Sequence, residues 1–149
     1  MKRFRFGLRP VAVIRAHREV RAREKFAASV HAYVRSEEEL MNVRTRIAKF
    51  GAAIFESRRN TFDADEHAHC LQGFRRESAE EIPAERAVFT ARIEMQQRRA
   101  DYLEAHRELE LVKRIEDKTR ARHRIACDRE EQAEFDDLAG RRHARRATA

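Results

Sequence analysis

Residues 63 to 70 read Asp63, Ala64, Asp65, Glu66, His67, Ala68, His69, Cys70, and they hold every side-chain type that zinc accepts. Structural zinc sites need four ligands, normally as two half-sites with regular spacing. The His-x-His-Cys order here has no matching second half-site. His123 and Cys127 lie four apart and would share a helix face, but they too lack a complementary pair. A polar connecting segment and ordinary helix positions account for both sets, so the sequence assigns no metal ligand and no cofactor.

A second constellation is acidic. Glu130, Glu131, Glu134, Asp136 and Asp137 place five carboxylates in eight residues, and Arg141 and Arg142 follow. Glu130, Glu134 and Asp137 stand at i, i+4 and i+7, one face of a helix. A calcium loop needs a turn glycine at its centre, which this run lacks. If the helix stops at Gly140, acids occupy the turn where the dipole favours cations. That order suggests a docking surface, against the plainer reading of a solvated charged face. Arg141, Arg142, Arg145 and Arg146 with His143 form a short basic tail that could bind phosphates in a salt-sensitive way. No nucleic-acid module surrounds it, and the preceding acids repel phosphate.

Catalytic motifs are missing. None of Gly7, Gly51, Gly73 and Gly140 precedes a Lys-Ser/Thr pair, so there is no P-loop. Ser29, Ser36, Ser57 and Ser78 lack a nucleophile-elbow context. The sequence is not that of an enzyme acting alone.

The composition explains what must position these groups. The chain has 149 residues, 40% of them charged, with four glycines, two prolines and a net charge of +7. Ordinary domains carry about 25% charge, so long water-exposed helices are expected rather than a β fold. Both signs are interspersed, which favours a soluble charged surface over a dedicated basic patch. Two cysteines make no disulfide framework. No apolar run reaches the roughly 20 residues of a membrane span, and the opening lacks a signal-peptide pattern. The cytoplasm is the expected location.

Phe26, Tyr33, Leu40, Ile47 and Ile54 recur every seven residues, with Val30, Val43 and Phe50 between them. This is a coiled-coil seam. A second series, Val13, Val20, Ala27, Val34, Met41, Ala48 and Phe55, runs one residue over and widens the apolar face. Val88, Met95, Tyr102 and Leu109 repeat the spacing with Ala105 and Val112, after which the register meets Glu116 and His123 and turns polar. The expected fold is all-α: a single elongated domain of two long helices in an antiparallel coiled-coil hairpin with a short irregular or helical connector. Helix 1 is expected over about 9–59, the connector over about 60–83, helix 2 over about 84–138, and the basic tail over 140–149. Within the connector a short helix is possible near residues 65–74. Ser78 to Glu81 fits a capping box and Pro83 a first turn, so helix 2 starts between 79 and 84. Antiparallel pairing then sets Phe4 and Phe6 beside residues 130–142.

The opening Phe4 to Val11, "FRFGLRPV", and the closing Glu130 to Arg142, "EEQAEFDDLAGRR", resemble the two ends of the FliJ family of flagellar type III export proteins. The Phe-x-Phe-x-Leu start is Phe4, Phe6 and Leu8. The Glu-Gln ending reads Glu131, Gln132, Phe135, Asp136, Asp137, Leu138, Ala139, with Phe135 and Asp137 where leucine and glutamate are commoner. The Phe-x-Phe start and Glu-Gln ending favour this flagellar branch over the related injectisome stalk proteins. The resemblance implies an antiparallel two-helix coiled coil, similar to the central stalk subunit of rotary ATPases. Its paired ends enter the hexameric export ATPase and promote its assembly and turnover. It further implies contacts with the membrane export-gate protein and with export chaperones, at the cytoplasmic face of the flagellar base. Phe4, Phe6, Leu8, Glu130, Glu131, Gln132, Glu134, Phe135, Asp136, Asp137, Leu138, Arg141 and Arg142 would form the ATPase-facing tip. Two other readings stand beside it: a basic coiled coil that binds nucleic acid through its tail, and a structural spacer.

Overall fold

The structure is a computed structural model that describes residues 3–59 and 63–147, with side chains as far as residue 143. Residues Asn60, Thr61 and Phe62 of the expected connector, and the side chains of Arg145 and Arg146, lie outside the described residues. The fold is all-α. Helix α1 spans Arg9–Arg59, 51 residues, and α2 spans Ala64–Ala147, 84 residues.

The start of α1 follows from local chemistry. Arg9 N–H donates to the Phe6 carbonyl at 3.2 Å and Ala12 N–H to the Leu8 carbonyl at 3.0 Å. Pro10 falls in the first turn, where its missing N–H leaves no bond unmade. Arg58 and Arg59 occupy the last turn, where cations complement the helix dipole.

Helix α2 departs from expectation at both ends. Its cap is Asp63: the carboxylate accepts the Asp65 N–H at 2.9 Å and the backbone carbonyl accepts the His67 N–H at 3.0 Å. Asp65 and Glu66 then sit in the first turn, favoured by the dipole. Residues 64 to 83 are therefore helical, and the Ser78 and Pro83 start signals lie inside the helix. A proline there removes one backbone bond and costs about 3 kcal/mol. Pairing with α1 on both sides of Pro83 offsets that cost. Arg44 bonds Glu81 at 2.9 Å and Glu85 at 2.6 Å, while Ala79 and Pro83 face water, which can solvate the released carbonyl. Gly140 does not end the helix either. No glycine has a positive φ, so the left-handed stop is not used, and helix-favouring arginines follow. A glycine inside a helix costs only about 1 kcal/mol relative to alanine.

Contacts divide into two units, Val20–Leu103 and Met1–Glu19 with Glu104–Ala149. In the first, the two helix segments run antiparallel. Phe26 stacks on Tyr102 with centroids 6.1 Å apart, the Arg92 guanidinium lies 6.0 Å from the Tyr33 ring centre, and Ser57 meets His67 at 2.9 Å. Phe26, Val30, Tyr33, Leu40, Ile47, Phe50 and Ile54 are half-buried and Val43 is buried; across from them Val88, Met95 and Tyr102 are half-buried. The second apolar series points outward: Val34 is 42% exposed, Met41 62% and Phe55 61%. In the other unit the segments are again antiparallel. The Arg15 guanidinium donates to the Glu108 carbonyl at 3.0 Å, and His106 meets Glu19 at 3.7 Å. Leu109 is half-buried and Val112 buried there.

Near the connector, two phenylalanine–glycine pairs interlock. Phe50 lies over Gly73, where an added Cβ would come within 2.5 Å of the ring; a Cβ added at Gly51 would lie 4.0 Å from the Phe74 ring, an ordinary contact. The asymmetry makes a test. Gly51→Ala is expected to stabilise by about 0.5–1 kcal/mol, since it restores helix propensity with no more than an ordinary contact to Phe74. Gly73→Ala gains the same propensity but must displace Phe50, and overpacking of this kind costs about 1–3 kcal/mol. Urea midpoints of the two variants should therefore move in opposite directions.

Candidate functional site

The residues singled out at the two chain ends all belong to the unit formed by Met1–Glu19 and Glu104–Ala149. Phe4 is half-buried: its ring meets His123 edge-on at 5.4 Å, and the Arg120 guanidinium lies 5.6 Å from its centre. Phe6 is also half-buried, while Leu8 is 43% exposed. Phe4, Arg5, Phe6 and Arg9 from the chain start, with Lys113 and Arg120 from α2, line an open groove of about 740 Å³. Ala12, Val13, Ala16 and Leu109 complete the wall with apolar side chains. The carboxylate in that wall, Glu116, is bonded to Arg120 at 2.7 Å.

The acidic segment sits elsewhere on the same helix. Every residue from 128 to 143 is exposed, Phe135 by 65% and Leu138 by 51%. Glu130, Glu131, Gln132, Glu134, Asp136, Asp137, Arg141 and Arg142 are thus presented to solvent, and Gln132 donates to Asp136 one turn on at 3.0 Å. The expected juxtaposition with Phe4 and Phe6 is not formed. Phe4 packs at positions 120 and 123 of α2, and Glu130 lies two turns, about 10 Å, further along. The reason is the pairing register between the chain start and α2. Within this unit Arg15 meets Glu108 and Phe4 meets His123, a register that places the acidic segment further along α2 than the residues paired with the chain start.

The charge order also changes meaning. Because α2 continues to Ala147, the carboxylates stand inside the helix and the arginines nearer its C-terminus, as the dipole favours. Asp137 precedes Arg141 by four residues, the stabilising orientation for such pairs. The acids need no special explanation from dipole strain. Their interest is that five of them lie on an exposed helix with two apolar side chains.

The histidine-rich stretch forms no metal cage. Asp63 caps α2, His67 meets Ser57, His69 is exposed and Cys70 half-buried. Among the described residues no group of three His, Cys, Asp or Glu side chains is arranged to hold an ion. The Cys127 thiol lies 3.7 Å from His123 Nδ1, a contact within one helix face.

Polar residues in the seam escape a reading based on apolar periodicity. Glu77 is 7% exposed, and its carboxylate accepts from Arg46 at 2.8 Å, with Arg76 at 3.5 Å. Glu19 and Ser29 are likewise buried, Ser29 returning its hydroxyl to the Phe26 carbonyl at 2.7 Å. The signal was there: stepping back by sevens from Val112 through Ala91 and Ala84 reaches Glu77 and Cys70.

The Arg46 hydrogen bond holds the Glu77 carboxyl below its ordinary value, against the opposing effect of burial. Glu110 is lowered in the same way by Lys113. A carboxylate whose pKa falls on folding contributes stability that is complete above its unfolded value and lost as pH drops through its folded value. Urea midpoints should therefore hold steady near neutrality and fall below the ordinary carboxylate range near pH 4. Glu77→Gln should flatten that acid limb, which would stay as steep as in the parent if Glu77 took no part.

No curated protein and no solved structure matches the chain. The profile of one family, described as Flagellar FliJ protein, matches residues 4–148, from the first phenylalanine through the acidic segment into the basic tail. With essentially its whole length accounted for by that one match, the chain belongs to the FliJ family of flagellar export proteins.

Proposed function

We propose that the chain is a non-catalytic stalk of the flagellar export apparatus, docking into the hexameric export ATPase and promoting its assembly and turnover. The family's role in flagellar protein export sets the context. The observation that carries the finer reading is the helical extension at residues 128–143, exposed on every side. An extension of this kind can enter a pore as one helix, whereas a paired end would have to enter as two. Its carboxylates suit a basic pore lining, and Phe135 and Leu138 supply apolar contact. The same reading assigns contacts with the membrane export-gate protein and with export chaperones, and a position at the cytoplasmic face of the flagellar base. No described helix is long and apolar enough to cross a membrane, so attachment there would come through partners. No cofactor or nucleic acid enters the proposal. The test is ATP hydrolysis by the purified cognate ATPase with and without the chain: turnover should rise on addition, and an unchanged rate across a titration would remove the stalk assignment.

A further inference from the structure

The groove at the chain start and the acidic extension have complementary chemistry, yet they cannot meet within one molecule. Arg5 and Arg9 stand beside Phe4 and Phe6 on one wall, and Lys113 and Arg120 on the other. The extension offers five carboxylates with Phe135 and Leu138. Arg120 and Glu134 belong to the same unbroken helix, which holds them about 20 Å apart along its axis. A straight helix cannot fold back onto its own preceding turns.

We propose that the groove takes the acidic extension, residues 130–138, of a second copy of the chain. Because each copy carries both the groove and the extension, reciprocal docking closes a two-fold dimer that leaves neither surface over. Carboxylates of one copy then approach the guanidinium and ammonium groups of the other. Phe135 and Leu138 lie against the Phe4 and Phe6 rings, which a chain alone leaves only half-covered. The inference does not rest on ATPase docking and concerns the isolated chain. Its consequence for that role is competition, since one extension cannot occupy a pore and a groove at once.

Sedimentation equilibrium of the full chain over about 1–100 µM tests this. At low salt the native chain should be dimeric, and raising the salt from about 50 to about 500 mM should weaken association at least tenfold as screening shortens. Two charge-reversed chains, Arg5→Glu with Arg9→Glu and Glu131→Arg with Glu134→Arg, alter only exposed positions; circular dichroism verifies their helix content. Each alone should be monomeric. Mixed in equal amounts they should pair again, since on one side of the dimer the reversed, acidic groove faces the reversed, basic extension, and on the other side an unaltered groove faces an unaltered extension. A monomeric native chain throughout the series overturns the proposal. So does a dimer that survives both reversals, which would place association on another face such as that of Val34 and Met41.

Discussion

A chain ending at Arg129 is expected to lose its stimulation of the export ATPase while keeping its helical hairpin. The two halves of that expectation have separate physical grounds. Residues 128 to 143 are exposed throughout, so removing them takes away little buried surface, and the thermal midpoint should shift by no more than a few degrees. The function, in contrast, should vanish, because the removed segment carries the carboxylates and the Phe135 and Leu138 side chains assigned to the pore. Fully burying each of those two against a partner is worth about 1.5–3 kcal/mol. Phe135→Ala with Leu138→Ala should therefore raise the concentration needed for half-maximal stimulation by at least tenfold. Changing Glu130, Glu131, Glu134, Asp136 and Asp137 to their amides should act differently: association slows at low salt, and little difference remains once salt screens the native segment as well. Stimulation that persists after truncation would move the docking surface to Phe4, Phe6 and the rest of the hairpin.

The largest effect on stability should come from a single buried position compared with its immediate neighbour. Val112 is 3% exposed and Leu111 is 55% exposed. Val112→Asp and Leu111→Asp introduce the same charge at neighbouring positions in one turn of the same helix, and helix propensity falls slightly more at the leucine. Only Val112→Asp buries the carboxylate against α1. An unpaired charge there costs about 3–5 kcal/mol, a large share of the 5–15 kcal/mol typical of a whole domain. Arg15 is nearby but already engages Glu108, so it offers incomplete compensation. The thermal midpoint of Val112→Asp should drop by about 10 °C or more, while Leu111→Asp should stay within a degree or two of the parent. Equal losses would mean that the packed face has been assigned to the wrong residues.

These two tests bear on different kinds of information. Fold class was legible in the chain: heptads such as Phe26, Tyr33 and Leu40, scarce glycine and proline, and dense mixed charge admit long paired helices and little else. The family could be read from the two ends, where aromatic and Glu-Gln patterns are specific enough to stand out from generic coiled coil. Helix limits were not legible, because local signals competed. Pro83, the Ser78 box and Gly140 each mark a boundary in isolation, and a sequence does not say which of them packing will override. Arg44 reaching Glu81 and Glu85 around Pro83 is a long-range event, set by the register of two helices together.

The sequence by itself determined that two helices pair along a seven-residue seam and that a charged segment closes the chain. The first apolar series, Phe26 to Ile54, already marked the seam, and it is this series that is covered while Val34, Met41 and Phe55 of the second face outward. The place of the acidic segment, in contrast, was a tertiary decision. Within the unit that holds both chain ends, pairing set Arg15 against Glu108 and Phe4 against His123 and left residues 128–143 exposed. Register depends on contacts between residues far apart in the chain, which no local start or stop signal encodes.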